Sequence, residues 1–270
     1  CNNILTLLQK QPDAAKQKGE HGSSTPLHYH VCSHWDASFE IVDALLQIWP
    51  DAVKEKDQYF RTPLHIACSF GHSEAVTALL KVWPDAVKEK NDDGDTPLHN
   101  ACLYSKSLEI VAALLKIWPD AVKETDCIGF TPLCWACINA ARLEVVTLLL
   151  NEWLSYKENT TNSAIMSLET RTSGCTEDVK VLLSHLFALC NISTNDTCPP
   201  PKEIMDYFIH IQLWNGVTLV LDRHNPTALI QTMGLDTKVM ADFLSTVGRH
   251  CSLTTIWEII RNEQDLLEGV

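Results

Sequence analysis

Residues 62–83 carry apolar side chains at helical spacing in two separate stretches. The first opens with Thr62, whose hydroxyl can accept a backbone N–H as an N-cap, and with Pro63 at the first helical position, where a missing N–H costs nothing. Gly71 ends it, because glycine readily takes the left-handed conformation found just past helix ends. The second contains the paired leucines at 79 and 80. We predict two short helices, each with one apolar stripe.

The same pattern recurs along the first half of the chain. Thr-Pro-Leu-His begins at residues 25, 62 and 96, and Thr-Pro-Leu-Cys begins at 131, so the intervals are 37, 34 and 35 residues. A tryptophan follows each paired-leucine helix, at Trp49, Trp83, Trp118 and Trp153. No helix pair can bury its stripes alone, so the repetition predicts a stacked array.

These residues resemble the ankyrin repeat, most clearly in TPLHIACSFGH over 62–72. The resemblance implies an all-α solenoid of stacked helix pairs, with a truncated repeat at 1–17 and four repeats over 18–153. It also implies that His28 and its counterparts bond to the backbone of a neighbouring repeat. Since the chain begins with Cys1 inside a repeat and has no initiator Met, we expect it to be a fragment.

This sequence departs from the family pattern at several positions. Trp-Pro replaces the small residues that usually follow the paired leucines, Phe60 stands where a turn glycine is expected, and Cys134 replaces the repeat histidine. The first repeat has about three extra residues between its helices, so we expect it to be the least regular.

Residues 154–270 lack the Thr-Pro-Leu-His marker but keep traces of the outer helix. Residues 177–183 align with 144–150, residues 217–229 suggest a further outer helix, and residues 259–267, with Gly248 before them, suggest a terminal repeat. We predict about three degenerate repeats here. A separate small helical domain from about residue 199, behind a proline-rich linker, is the alternative.

Composition and charge argue against several classes of protein and of partner. With 46% hydrophobic and 20% charged residues the chain is not of the disordered class. Its net charge of −13 argues against nucleic acid and against anionic membrane surfaces as partners. The longest weakly polar run, 207–221, is too short to span a bilayer. Eleven cysteines, an odd number, predict reduced thiols and a cytoplasmic protein, with the nucleus also open.

Two groups of residues resemble a metal site and a redox site. His28, His30, Cys32 and His34 have metal-compatible spacing, and Cys134 with Cys137 forms a CxxC pair. All three cysteines and His28 occupy ordinary repeat positions, so we expect neither metal nor redox chemistry. The chain has no P-loop, GxGxxG, GxSxG, HExxH or kinase motif. We therefore expect no enzymatic activity and no cofactor.

Repeated residues are expected to serve the stack. The four tryptophans recur at one position, which predicts a buried ladder between repeats, and the Lys-Glu pairs that begin at 54, 88 and 123 predict a solvated rim.

Function is expected to lie in residues that differ between repeats. In the ankyrin family, turn tips and exposed inner-helix positions usually grip the partner. Carried over to this chain, these positions are Tyr59, Arg61, Ile66, Phe70, Asp93, Asp95, Asn100, Tyr104, Ile128, Phe130, Trp135 and Asn139. The set is rich in aromatic residues, which dominate interface hot spots. We expect a scaffold or adaptor that binds a protein or peptide; the alternative is a regulatory arm of a larger kinase or ubiquitin-ligase component.

Overall fold

A computed structural model describes residues 2–19, 24–31, 39–169, 174–190 and 199–224. These residues form helices and connecting turns, and no strand occurs among them. The α-helices are α1 (Asn2–Lys10), α2 (Pro26–Val31), α3 (Phe39–Ile48), α4 (Pro63–Phe70), α5 (Ser73–Val82), α6 (Pro97–Asn100), α7 (Leu108–Ile117), α8 (Pro132–Ile138), α9 (Leu143–Leu154), α10 (Asn162–Glu169), α11 (Glu177–Ala188), α12 (Pro201–His210) and α13 (Trp214–Arg223). The prediction of an all-α repeat fold is confirmed.

Two compact units divide the chain, one ending at Val145 and the other starting at Val146. In the first unit, α4 packs between α2 and α6, and α6 in turn packs against α8. Helix α5 packs in the same way between α3 and α7. The inner helices thus form one row and the outer helices a second row, which buries the apolar stripes as predicted. The irregular turn expected in the first repeat falls at 32–38, outside the described residues.

The Thr-Pro-Leu-His motif caps each inner helix and links it to the next repeat. The backbone N–H and the hydroxyl of Thr62 bond to Nδ1 of His65, at 3.2 and 2.9 Å. Nε2 of His65 then donates to the backbone carbonyl of Asp95, 3.1 Å away. His28 makes the same inter-repeat bond to the carbonyl of Arg61. The bond that the family resemblance implied is therefore present.

The outer helices end just before the tryptophans. Because proline disfavours helical geometry in the preceding residue, Trp83 leaves the helix at φ −140°. A 3-10 helix follows, and it buries Ala86 and Val87. This arrangement recurs at Pro12–Lys16, Pro50–Lys54, Pro84–Lys88 and Pro119–Lys123.

The predicted buried tryptophan ladder is therefore wrong for three of its four members. Trp49, Trp83 and Trp118 are only half-buried, and no ring contact joins them in the described part of the chain. Trp153 is buried because Leu154 follows it where the other repeats have proline, so α9 continues through this position.

The rim is ordered by ion pairs between successive repeats. Lys18 pairs with Glu55 at 2.7 Å, and Lys56 pairs with Glu89 at 2.7 Å. The series continues with Lys90 and Glu124 at 2.8 Å. The predicted rim is present, and it also connects the repeats along the stack. Each pair is partly exposed, so its contribution to stability is small.

The second unit contains α10 to α13. Helix α10 packs against α11, and α12 packs against α13. The predicted outer helix at 177–183 lies within α11, and α13 covers 217–223 of the segment 217–229. The guanidinium of Arg223 donates to the carbonyls of Leu189 at 2.8 Å and Thr160 at 2.6 Å. That residues 154–270 are degenerate repeats stays a prediction, and its terminal segment, 259–267, lies outside the described residues.

Candidate functional site

Three equivalent turns project ahead of the inner helices α4, α6 and α8. We call residues 57–61, 91–95 and 126–130 the second, third and fourth tips. In the second tip, Oδ1 of Asp57 accepts the backbone N–H groups of Tyr59 and Arg61, both at 2.9 Å. Oδ1 of Asn91 and Oδ1 of Asp126 make the same pair of bonds in the other two tips. One side-chain oxygen and the backbone thus fix all three turns.

The fourth position of each turn requires a left-handed backbone. Gly94 and Gly129 meet this requirement at φ 78° and 81°. Phe60 adopts the same conformation at φ 57°, where a side chain causes strain, and its ring is exposed. The departure noted in the sequence therefore keeps the turn and adds an exposed aromatic ring.

Backbone hydrogen bonds hold the tips edge to edge. The N–H of Asp92 donates to the carbonyl of Tyr59 at 3.1 Å, and the N–H of Cys127 donates to the carbonyl of Asp93 at 2.9 Å. Side chains from adjacent tips consequently share one surface.

In the second tip, the guanidinium of Arg61 is bound to the carboxylate of Asp57. Nε and one terminal nitrogen of Arg61 contact Oδ2 of Asp57, at 2.8 and 2.7 Å. The guanidinium carbon also lies 4.9 Å from the centre of the Tyr59 ring. Burial would raise the pKa of Asp57, but the bonds from Arg61 and from the Tyr59 backbone outweigh it and hold this pKa below its usual value.

The third tip has the opposite charge pattern. Neutral Asn91 takes the place of Asp57, and Asp95 takes the place of Arg61. The pKa of Asp95 is raised to about 6, first because its carboxyl is buried and then because the carboxylate of Asp126 is close.

The fourth tip is held by an aromatic residue of its own inner helix. Nε1 of Trp135 donates to Oδ2 of Asp126 at 2.8 Å, and its ring meets Phe130 edge to face at 5.3 Å between centroids. Trp135 therefore supports the turn, which we had not expected of a residue assigned to partner contact.

An open pocket of about 490 Å³ lies between the second and third tips, and we call it the tip pocket. Its aromatic walls come from Tyr59, Phe70 and Tyr104. Tyr104 lies in a π-helical turn, Ala101–Ser105, that extends α6. From its capping threonine to its tryptophan the third repeat has one residue more than the second, and the π-helical turn accommodates this residue. Such turns are frequent at functional sites.

Polar residues complete the tip pocket. They are Arg61, Ser69, Asn91, Asp92, Asp93, Asp95 and Asn100. The structure thus brings together seven of the twelve residues expected from sequence, four of them polar and three aromatic. Asn91 was absent from the expected set, although its alignment with Asp57 and Asp126 could have revealed it.

The remaining expected residues lie elsewhere. Ile128 is exposed on the fourth tip, and Phe130 and Asn139 are half-buried. Ile66 is only 4% exposed, on the helix α4 that packs between α2 and α6. This burial differs from the exposed position that we expected, and a role of Ile66 in partner contact stays a prediction.

Half of the candidate metal cluster lies outside the described residues. Cys32 and His34 lie outside the described residues, and His28 uses both ring nitrogens for hydrogen bonds, to Thr25 and to the Arg61 carbonyl. Among the residues that the structure covers, no group of three or more His, Cys, Asp or Glu could hold a metal ion. In that same part of the chain, no helix has the length and apolar character needed to cross a membrane.

Comparison with known proteins adds one positive finding. A family model described as ankyrin repeats (3 copies) matches residues 1–89 and residues 82–162, which together exceed half of the chain. A comparison with curated proteins finds no match.

Proposed function

Because this chain belongs to the ankyrin-repeat family, whose members generally serve as protein–protein interaction modules, we propose that it is a non-enzymatic scaffold or adaptor. Its partner is a protein or peptide segment, bound along the tips and centred on the tip pocket. Ankyrin repeats are typically not catalytic, which agrees with this assignment.

The observation that carries the proposal is the set of aromatic rings around the tip pocket. Tyr59, Phe70 and Tyr104 are all exposed, and Tyr104 has 62% of its surface open to solvent. The caps, the rim pairs and the buried stripes that hold the stack together do not involve these side chains. Exposed aromatic residues grouped at a concave site are characteristic of protein-binding surfaces.

The thiols support a location inside the cell. None of the seven cysteines in the described residues forms a disulfide, and Cys68, Cys102 and Cys137 are buried in the stack. We propose a cytoplasmic protein, with the nucleus as the second location.

Affinity capture with matched variants tests this function. The double variant Tyr59→Ala, Tyr104→Ala should lose the captured partner, because each hot-spot aromatic contributes about 2 kcal/mol, or roughly thirtyfold in Kd. Phe39→Ala, which removes an exposed aromatic ring at the start of the outer helix α3, should retain it. A partner held equally well by all three proteins would contradict binding at the tips.

A further inference from the structure

Asn100 places an unused hydrogen-bond acceptor at the tip pocket. Its side chain lines the pocket yet is only 2% exposed. Nδ2 donates to Oγ of Ser69 at 3.1 Å, whereas Oδ1 is buried and has no hydrogen-bond partner among the described residues. Buried polar groups are usually satisfied, so an orphaned acceptor beside a pocket indicates a missing donor.

The orientation of this amide follows from its neighbours. The hydroxyl of Ser69 donates its proton to the carbonyl of His65 at 2.9 Å. Oγ of Ser69 can therefore only accept from Asn100, so Nδ2 must be the atom that faces it. Oδ1 is consequently left on the other side of the amide, without a donor.

The repeat fold does not require a polar residue at this position. The equivalent residue is Ile66 in the preceding inner helix and Trp135 in the following one. Ile66 is buried there with no polar group at all. The unsatisfied amide of Asn100 is thus specific to the third repeat.

The charges around the tip pocket favour a positively charged occupant. Asp92, Asp93 and Asp95 line it, and within the described part of the chain none of them forms an ion pair. Arg61 also lines the pocket, but its guanidinium is already bound to Asp57. The raised pKa of Asp95 agrees with a carboxylate that lacks a cation.

The aromatic walls suit the same occupant. Tyr59, Phe70 and Tyr104 can pack against the methylene stem of a long basic side chain and against its cationic head. A metal ion fits less well, because the described residues include no group of three carboxylates placed to coordinate one.

We propose that the tip pocket receives an arginine or lysine side chain from the partner segment. The cationic head donates to Oδ1 of Asn100 and pairs with the carboxylates of Asp93 and Asp95. This inference rests on the proposed function, since it specifies the chemistry of a segment that binds at the tips.

Selection from a library of random linear dodecapeptides tests the proposal. The full 270-residue chain is the target, at about 0.15 M salt, where charges more than roughly 8 Å apart are largely screened. We expect peptides whose binding needs Tyr59 and Tyr104 to share one basic position. Replacing that arginine by citrulline, or that lysine by norleucine, should weaken binding at least tenfold without any change to the protein.

Variants of the protein test where the basic side chain of the peptide binds. Asn100→Ile installs the residue that the second repeat buries at the same position, and Asp95→Asn removes one carboxylate. Each should weaken the selected peptides at least fivefold. Asp85→Asn makes the same charge change on the rim, where Asp85 pairs with Lys88, and should leave the affinity unchanged. Thermal melts of each variant check that the fold persists.

The outcomes separate the two proposals. Selected peptides that depend on Tyr59 and Tyr104 but contain no required basic residue would overturn this inference and leave the proposed function standing. Equal weakening by Asp85→Asn and Asp95→Asn would also overturn it, since it would indicate general attraction to an acidic protein. A selection that yields no peptide dependent on the two tyrosines would contradict the proposed function itself.

Discussion

The rim and the tips of the first unit are built by the same repeats but differ in how far they vary. On the rim, the sequence Pro-Asp-Ala-Val-Lys occurs at 50, 84 and 119, and each copy forms the same 3-10 helix with the same internal Lys–Asp pair. At the tips, the residue before the capping threonine is Arg61, then Asp95, then Phe130. Three chemically unrelated side chains thus follow turns of one geometry.

This difference indicates which interactions determine the fold. Rim residues contact one another between repeats, so a change in one copy would disturb its neighbour. All three turns share one capping oxygen and its bonds to backbone N–H groups, and the fourth turn has an added bond from Trp135. The side chain before the capping threonine takes no part in these shared bonds and can therefore differ. Stability is therefore expected to depend on the repeated positions, and binding on the variable ones.

The largest expected loss of stability comes from a substitution at a repeated position of an inner helix. His65→Ala removes the bonds to Thr62 and to the Asp95 carbonyl and leaves buried groups unsatisfied. We expect the free energy of unfolding to fall by about 3 kcal/mol, measured by urea denaturation. Tyr104→Ala, at the tips, should change it by less than about 0.5 kcal/mol. Similar losses in the two variants would contradict the assignment of stability to the repeated positions.

Acidification should distinguish the repeated histidines of the inner helices from the variable residue Asp95 at the third tip, because their effects on stability have opposite sign. Burial lowers the pKa of His65 and His99 to about 4, below the value of about 6.5 in the unfolded chain. Their neutral side chains therefore contribute to the free energy of unfolding fully above pH 6.5, and this contribution is lost as the pH falls towards 4. Asp95, with its pKa raised to about 6, opposes folding when ionised, and this penalty disappears as the pH falls below 6.

Since the two histidines outweigh one carboxylate, we expect lower stability at pH 5 than at pH 7.5, read from urea midpoints. Asp95→Asn should make this loss steeper, because it removes the compensating group. A protein that becomes more stable between pH 7.5 and pH 5 would contradict the assignment.

A smaller effect is expected from the tryptophans, because they are only half-buried. Trp83→Ala should lower the free energy of unfolding by about 2 kcal/mol, consistent with burial of about half of a large side chain. Trp153→Ala should cost more, since Trp153 is only 6% exposed. Thermal and urea denaturation of the two variants tests the ranking, and equal losses would contradict it.

The smallest effect is expected from the ion pairs of the rim. A double-mutant cycle on Lys56→Ala and Glu89→Ala should give a coupling free energy of less than about 1 kcal/mol, because both side chains are about one-third exposed. Raising the salt concentration should reduce it further. A coupling of several kcal/mol would mean that the rim contributes far more to the stack than its exposure indicates.

Most of the fold could be predicted from the sequence because the signals for it are local. Thr62 and Pro63 mark a helix start, Gly71 marks an end at φ 79°, and the paired leucines mark the buried stripe. Trp83 is less buried than predicted, because the strong apolar character of tryptophan suggested burial whereas Pro84 takes the preceding residue out of the helix.

The site was harder to predict because it depends on contacts between repeats. Family position alone placed Ile66 on the surface, whereas only 4% of it is exposed in the structure. The unsatisfied oxygen of Asn100 depends on the proton of Ser69, one repeat earlier, and no spacing rule indicates that contact. The charge pattern of the tips, in contrast, could be read directly from aligned positions.

The inter-repeat histidine bonds have a consequence for how this scaffold can change. His28, His65 and His99 each bond to the carbonyl of the residue before the next capping position, which is Arg61, Asp95 or Phe130. Every amino acid has that carbonyl, so this bond between repeats does not depend on which side chain precedes the capping threonine. Substitutions at this position can therefore change what the protein binds, one residue at a time, while the bonds between repeats stay the same.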